Sequence, residues 1–355
     1  MNDESIAGKV QTVRGLIEPE ELGVTLAHEH LLVDLSPTYT PPTEPGEREF
    51  WEKPVSIETI GRIRHHFMPN RDNVILGDVP TAIDEINLYR QNGGGSLVEA
   101  TSVGIARDPR GLAEISRATG VNVVMGSSYY VDSAHPPDMD HRRESAIREE
   151  IVRDVYQGAQ ETAIRSGIIG EVGCSWPLTK NERNVLRASA GAQRITGAAL
   201  LIHPGRDEAA PLEIMAVLEE AGADLGRTVM GNLDRTVFRR ETLARIAESG
   251  CYLEWDLFGR EESHYPFNPA IHMPSDAKRM DDIAWAASQG HGRKIVVSHD
   301  ICSKFRLQRY GGHGYYYLLS QIAPRMRARG FSSELVDDIF VNNPRDILTF
   351  VDPRS

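Results

Sequence analysis

Cysteine is scarce, a basic excess is missing, and no apolar stretch is long enough to cross a bilayer. Only Cys174, Cys251 and Cys302 occur in 355 residues. Their spacing excludes a thiolate metal cage, and their odd number fits a reducing compartment better than a disulfide framework. They read as core filler. Lysine and arginine total 39 against 51 aspartates and glutamates, a net charge of -12. Affinity for nucleic acid comes from neutralising phosphates, so no nucleic-acid partner is expected. A small anionic ligand would need its own local basic pocket.

Without an apolar run of ~20 residues, no membrane span is expected. The start "MNDESIAGKVQTV" has neither the basic opening nor the apolar stretch of a secretory signal, so the expected location is cytoplasmic. The chain also lacks a Gly-rich dinucleotide fingerprint, and "GKVQTV" lacks the spacing of a phosphate-binding loop. The glycines at 93–95 read as a helix end and a tight turn.

What is present is a rhythm. Short β-branched runs ending in polar residues alternate with longer segments whose apolar residues fall three and four apart. The runs place strands at 24–33, 96–101, 122–127, 167–172, 199–203, 228–233, 251–256 and 294–300. Between them "TAIDEINLYRQNGG", "PRGLAEISRATG", "DEAAPLEIMAVLEEAG", "RRETLARIAESG" and "DAKRMDDIAWAASQG" read as helices that finish at or near glycine. Eight such units with no break in composition predict an α/β fold: a single (β/α)8 TIM barrel, one domain over residues 1–355. Long connections at 35–80, 257–274 and 301–317 all follow strands. They would wall the face where such barrels keep their sites.

The stretch "TLAHEHLLVDL" raises the question of function. On a strand alternate side chains share a face, so Val24, Leu26, His28 and His30 would point one way and Glu29 the other. Two neutral imidazoles aimed together can grip a divalent cation. With 12 histidines in the chain, an HxH arises by chance ~0.4 times, so the pattern needs company. Company comes from Glu171 in "IIGEVG", His203 in "LLIHPG", Asn232 and Asp234 in "VMGNLDR", and His299 and Asp300 in "IVVSHD". Each follows an apolar run, and the barrel mouth is where they would meet. His299 and Asp300 cannot both face inward. The terminal Asp300 is the choice, because a carboxylate there can bind metal and handle a proton. His65, His66, His135, His141, His272 and His291 read as solvated, while His264 and His313 lie in long loops within reach of a substrate.

These residues resemble the amidohydrolase superfamily and, within it, the phosphotriesterase-related proteins. "AHEHL", "NGGG", "IIGEVGCSWPLT", "IHPGR", "AGADL", "LDRT", "CYLEWDLFG" and "RYGGHGYYY" fall in that family's order along the whole chain. The resemblance implies two divalent ions, zinc foremost. His28, His30 and Asp300 would hold one, His203 the other, and Glu171 would bridge them as a direct carboxylate. It also implies an amidase cleaving N-acetyltaurine to acetate and taurine. Water made acidic by the ions would attack, and Asp300 would carry its proton to the leaving nitrogen.

One departure stands out. Where the family has a histidine on the sixth strand this chain has Asn232, a weaker ligand, so the second ion should be loosely held. Arg206, Arg235 and Lys304, just beyond the fifth, sixth and eighth strands, are the candidates for the substrate's anionic group. A lactonase or phosphotriesterase on the same centre, and a metal-binding protein whose catalysis Asn232 impairs, stay open as alternatives. So do the native metal and the oligomeric state, a homodimer included.

Overall fold

The computed structural model describes residues 6–354 apart from positions 40, 43, 263, 264 and 266; His264 therefore lies outside the described residues. Eight parallel strands follow one another in chain order around one sheet. They are β1 (Thr25–Glu29), β2 (Ser96–Glu99), β3 (Asn122–Ser127), β4 (Ile168–Gly173), β5 (Leu200–His203), β6 (Thr228–Met230), β7 (Tyr252–Trp255) and β8 (Ile295–Val297). The expected TIM barrel is what forms. Several strands are shorter than the sequence suggests: β1 ends at Glu29 and β8 at Val297, so His30 and Asp300 stand on the chain just past strand ends.

Helices pack outside the sheet: α1 (Val79–Gln91), α2 (Pro109–Thr119), α3 (Glu144–Tyr156), α4 (Lys180–Thr196), α5 (Ala210–Glu220), α6 (Arg240–Glu248) and α7 (Asp276–Ala286). Their ends follow local chemistry. Asp108 accepts hydrogen bonds from the Arg110 and Gly111 amides to start α2, and Gly120 at φ +75° stops it. Thr179 and Glu182 form a reciprocal capping box on α4.

Two apolar clusters show which way each strand residue points. Leu26, Leu97, Val123, Ile169, Ile202, Met230, Leu253 and Val297 pack with helix residues such as Ile86, Leu112 and Ile283. Ala27, Val98, Val124, Ile168, Leu201, Val229 and Val296 fill the barrel interior, closed below by Val10, Leu22 and Leu348. Leu26 thus faces the helices, contrary to the alternation expected for it. The pairing of β1 with β2 slips between Leu26 and Glu29, which resets the phase so that His28 and His30 still turn inward. A second slip, between Ile169 and Val172 in β4, does the same for Glu171.

The seam between β8 and β1 is closed largely by other groups. Ser298 Oγ accepts from the His28 amide at 3.0 Å and donates to Glu29 Oε1 at 2.8 Å. The Asp300 amide donates to the His28 carbonyl at 3.1 Å. Glu29 Oε1 also accepts from the His299 amide at 2.9 Å and lies 2.6 Å from His299 Nδ1, while Oε2 accepts from the Ile301 amide at 3.0 Å. His299 is thereby drawn away from the mouth, and Asp300, at φ +51°, turns into it. No helix among the described residues is long and apolar enough to cross a membrane.

Candidate metal centre

Four of the five expected metal ligands are grouped by their facing atoms. His28 Nε2 and His30 Nε2 lie 3.4 and 3.3 Å from the two oxygens of Glu171, and Asp300 Oδ1 is 3.3 Å from His30 Nε2. His203 Nδ1 completes the set, 2.7 Å from Glu171 Oε2. The three histidines and Glu171 are almost fully buried, and Asp300 keeps 13% of its side chain exposed toward the mouth. His28, His30 and Asp300 also present ligand atoms close enough to share one ion.

The surroundings fix the state of both imidazoles. Thr101 Oγ1 donates to Glu99 Oε1 at 2.7 Å, so at 2.8 Å it accepts the proton of His30 Nδ1. On His28, Nδ1 faces Glu254 Oε2 at 3.2 Å and Asp256 Oδ2 at 3.1 Å, two acceptors for one N–H. With each Nδ1 engaged by its own partner, Nε2 is the ring atom left to face the centre, and that of His28 is buried with no hydrogen-bond partner. Carboxylates holding the far nitrogens of metal-binding histidines are the usual outer support of such ligands. This orphaned nitrogen, with one shared carboxylate and a second acid beside it, fits a divalent cation.

The field at the centre is strongly negative: burial lowers both imidazoles, but Asp256, Glu171 and Glu254 raise His28 well above its ordinary value, and Asp300 and Glu171 raise His30, a field that a divalent cation would also answer. Burial pushes the Glu171 carboxyl up, but His203 and His28 outweigh it and hold it well below its ordinary value. Burial also raises Asp300, and again the His30 hydrogen bond and the charges of His28 and His30 pull it below the usual range. His203 is brought down to about 4, by burial first, against the pull of Glu171 and with help from Arg235 and Arg206. It is a neutral ligand at neutral pH. Glu254 is pushed up to about 8, by burial first, with His28 opposing and Asp256 adding to it.

Asn232 does not sit as a ligand. Its Nδ2 donates to Asp256 Oδ1 at 2.8 Å and to Asp300 Oδ2 at 3.3 Å, while Oδ1 accepts from Arg235 Nη2 at 2.8 Å. Two carboxylates on one side and a guanidinium on the other permit only this orientation of the amide. The donors left for a second ion are Glu171 and His203, so that position fits poorly. Asn232→His is expected to raise bound metal toward two ions per chain by elemental analysis. An unchanged content would show that Asn232 does not limit the second site.

Of the three cations expected to meet the substrate, two reach the mouth. Arg206 lines its cavity with guanidinium Nε donating to Tyr265 Oη at 2.8 Å. Arg235 lines it too, but its donors go to Asn232, to the Pro204 carbonyl at 3.1 Å and to Thr236 at 3.0 Å, with His203 Nε2 at 3.0 Å. It braces ligands. Lys304 is not there: Asp72 captures its ammonium at 2.5 Å, and it lines a separate cavity beside α1.

His135 is not solvated; its side chain is buried, with Nε2 2.8 Å from the Tyr130 carbonyl. His313 stacks on His299 at 5.4 Å and lines a different cavity. Cys174 and Cys251 are buried, whereas Cys302 lines the mouth. Glu254, Asp256 and Arg260 were missed. The first two could have been found, since "YLEWD" repeats on β7 the i, i+2 spacing that singled out the histidines.

An eight-stranded barrel with histidines and carboxylates converging at the carboxyl ends of its strands is the architecture of a metal-assisted hydrolase. The cavity above the centre is about 180 Å³, below the ~300–1,000 Å³ of drug-sized pockets, so its substrate is small. The chain belongs to the phosphotriesterase family, whose model matches residues 8–348. It is 43% identical to a phosphotriesterase-related protein of Nematostella vectensis over 97% of this chain and 99% of that one. It is 42% identical to the N-acetyltaurine hydrolase of Homo sapiens, over 98% and 99%. A solved structure of a resiniferatoxin-binding protein from Rhodobacter sphaeroides superposes with a TM-score of 0.92 at 36% identity, covering 96% of this chain and 95% of that one. Within this family the chain is a hydrolase, and its histidine and carboxylate clusters suit a divalent metal.

Proposed function

We propose that this protein hydrolyses N-acetyltaurine to acetate and taurine. The observation that carries the reading is a small buried cavity with a metal-ligand set at its floor and arginines in its wall, in a chain 42% identical to a hydrolase of that name across nearly its full length. His28, His30, Glu171 and Asp300 would hold one ion, and His203 with Glu171 a weaker second. Zinc suits this nitrogen and oxygen set. We further assign residues 1–355 to a single domain, working in the cytoplasm, where three unpaired cysteines are at home.

When bound, the ions supply Lewis acidity, which brings the pKa of a water near neutrality. Asp300, whose carboxyl lies below its ordinary range, is placed to take the proton of a water attacking the acetyl carbonyl, and Asn232 steadies its second carboxylate oxygen. The same carboxyl then protonates the amide nitrogen, without which an amine leaves poorly. Arg206 faces the anionic end of the substrate, and Phe67 and Phe267 keep bulk water from the wall.

The test is hydrolysis of N-acetyltaurine, a lactone and an activated phosphotriester under identical metal loading. N-acetyltaurine is expected to turn over fastest by at least ~100-fold in kcat/KM, and a chelator is expected to stop all of it. Faster lactone or phosphotriester cleavage would make the protein an esterase on the same centre. Ion uptake without turnover of any of the three would make it a binding protein.

A further inference from the structure

The wall of the mouth holds a feature that the metal centre does not explain. Arg260 is buried and Arg206 half-buried, and both line the cavity. Each guanidinium lies over an aromatic ring: the Arg206 carbon is 4.3 Å from the Phe267 centroid, and that of Arg260 is 4.4 Å from Phe67 and 5.3 Å from Tyr265. Stacking fixes the planes and spares the in-plane donors. Arg206 spends Nε on Tyr265, and Arg260 Nε lies 3.3 Å from Glu262 Oε2 without forming a hydrogen bond. Among the described residues the Nη groups of both have no hydrogen-bond partner.

Two cations drawn out of water beside the same ring, that of Tyr265, are costly unless an anion joins them. Glu262 covers only the Nε edge of Arg260. The positive field is felt by Tyr265: burial pushes its hydroxyl up, yet Arg206, Arg235 and Arg260 together bring it below the ordinary value.

We propose that Arg206 and Arg260 form a two-pronged clamp for a sulfonate, and that Arg260 sets the preference for sulfonate over carboxylate. One guanidinium fork saturates the two coplanar oxygens of a carboxylate. A sulfonate presents three oxygens around sulfur, so a second fork at an angle to the first finds an acceptor that a carboxylate lacks. With a carboxylate bound, part of the Arg260 fork stays buried and unpaired, which is the form of discrimination that polar sites make large. Arg260 is a specificity residue remote from the scissile bond. The proposal rests on the amidase reading above.

The experiment compares kcat/KM for N-acetyltaurine with that for N-acetyl-β-alanine, its carboxylate counterpart of equal chain length, in the metal-loaded wild type and in Arg260→Met and Arg260→Lys. The wild type is expected to favour the sulfonate by about 10- to 100-fold, and Arg260→Met to bring the ratio within roughly threefold of unity, mainly through KM for the sulfonate. Arg260→Lys keeps the charge without the fork and should fall between them. If Arg260→Met does not fold, the lysine variant decides alone. A wild type that cleaves both amides equally well, or a ratio unmoved by either substitution, overturns the clamp and leaves the amidase reading intact. A wild type that cleaves neither overturns the amidase reading itself.

Discussion

Asp300→Ala loses nearly all turnover, by at least ~10²–10⁴-fold in kcat, with the fold intact by circular dichroism. The magnitude follows from two roles in one side chain. Its Oδ1 belongs to the ligand group with His28 and His30, and its Oδ2 receives the Asn232 amide. Alanine therefore removes a proton carrier and an anionic ligand together. Asp300→Asn separates them, since an amide can still fill the space and offer a neutral oxygen but cannot take up a proton. It should retain more metal than the alanine variant while staying about as inactive. Should Asp300→Ala keep most of its activity at full metal loading, the proton path must run elsewhere, and Asp300 would be only a structural neighbour of His30.

The backbone around Asp300 makes this role hard to transfer. Arg306 donates to the carbonyls of Asp300 and His299 at 2.6 and 2.5 Å, which holds a non-glycine residue at φ +51°. A neighbour cannot slide into its place without undoing that clamp.

The barrel was legible because each strand is a short β-branched run and each helix carries apolar residues at its own period. The cluster of histidines and carboxylates was legible because polar residues at the ends of such runs have few places to go but the mouth. What stayed hidden was direction. The phase of β1 is set by a slip against β2, and β2 lies some seventy residues away, so Leu26 was assigned the wrong face although His28 and His30 were assigned the right one. Lys304 lies close after β8 in sequence, yet Asp72 from the long 35–80 connection captures it, 232 positions distant. His135 sits in a polar stretch and is buried by Tyr129 and by the carbonyl of Tyr130. Arg260 was lost in a connection whose course no periodicity describes. Asn232 was legible as a missing imidazole, but its conversion into a tether between Asp256, Asp300 and Arg235 depends on partners from two other segments.

Glu29→Ala lowers the stability of the folded protein by about 3–5 kcal/mol at neutral pH, the cost of breaking a buried ionic network from one side. Glu29 is fully buried, and its two oxygens take the Ser298 hydroxyl and the amides of His299 and Ile301, and face the His299 ring. Removing it leaves those donors without acceptors at the seam where β8 meets β1. The pH dependence has a definite sign. Burial pushes the Glu29 carboxyl up, but the charge and hydrogen bond of His299 outweigh it, so its folded value lies below the ordinary one. Its stabilisation is therefore complete above the ordinary carboxylate range and is lost as pH falls through the folded value. Urea midpoints of wild type and variant should converge on acidification and differ most near neutrality. Because the seam also seats His28 and Asp300 across from each other, the variant should bind metal more weakly even where it is folded. A neutral-pH difference below about 1 kcal/mol would mean that strand pairing and helix packing close the barrel without Glu29.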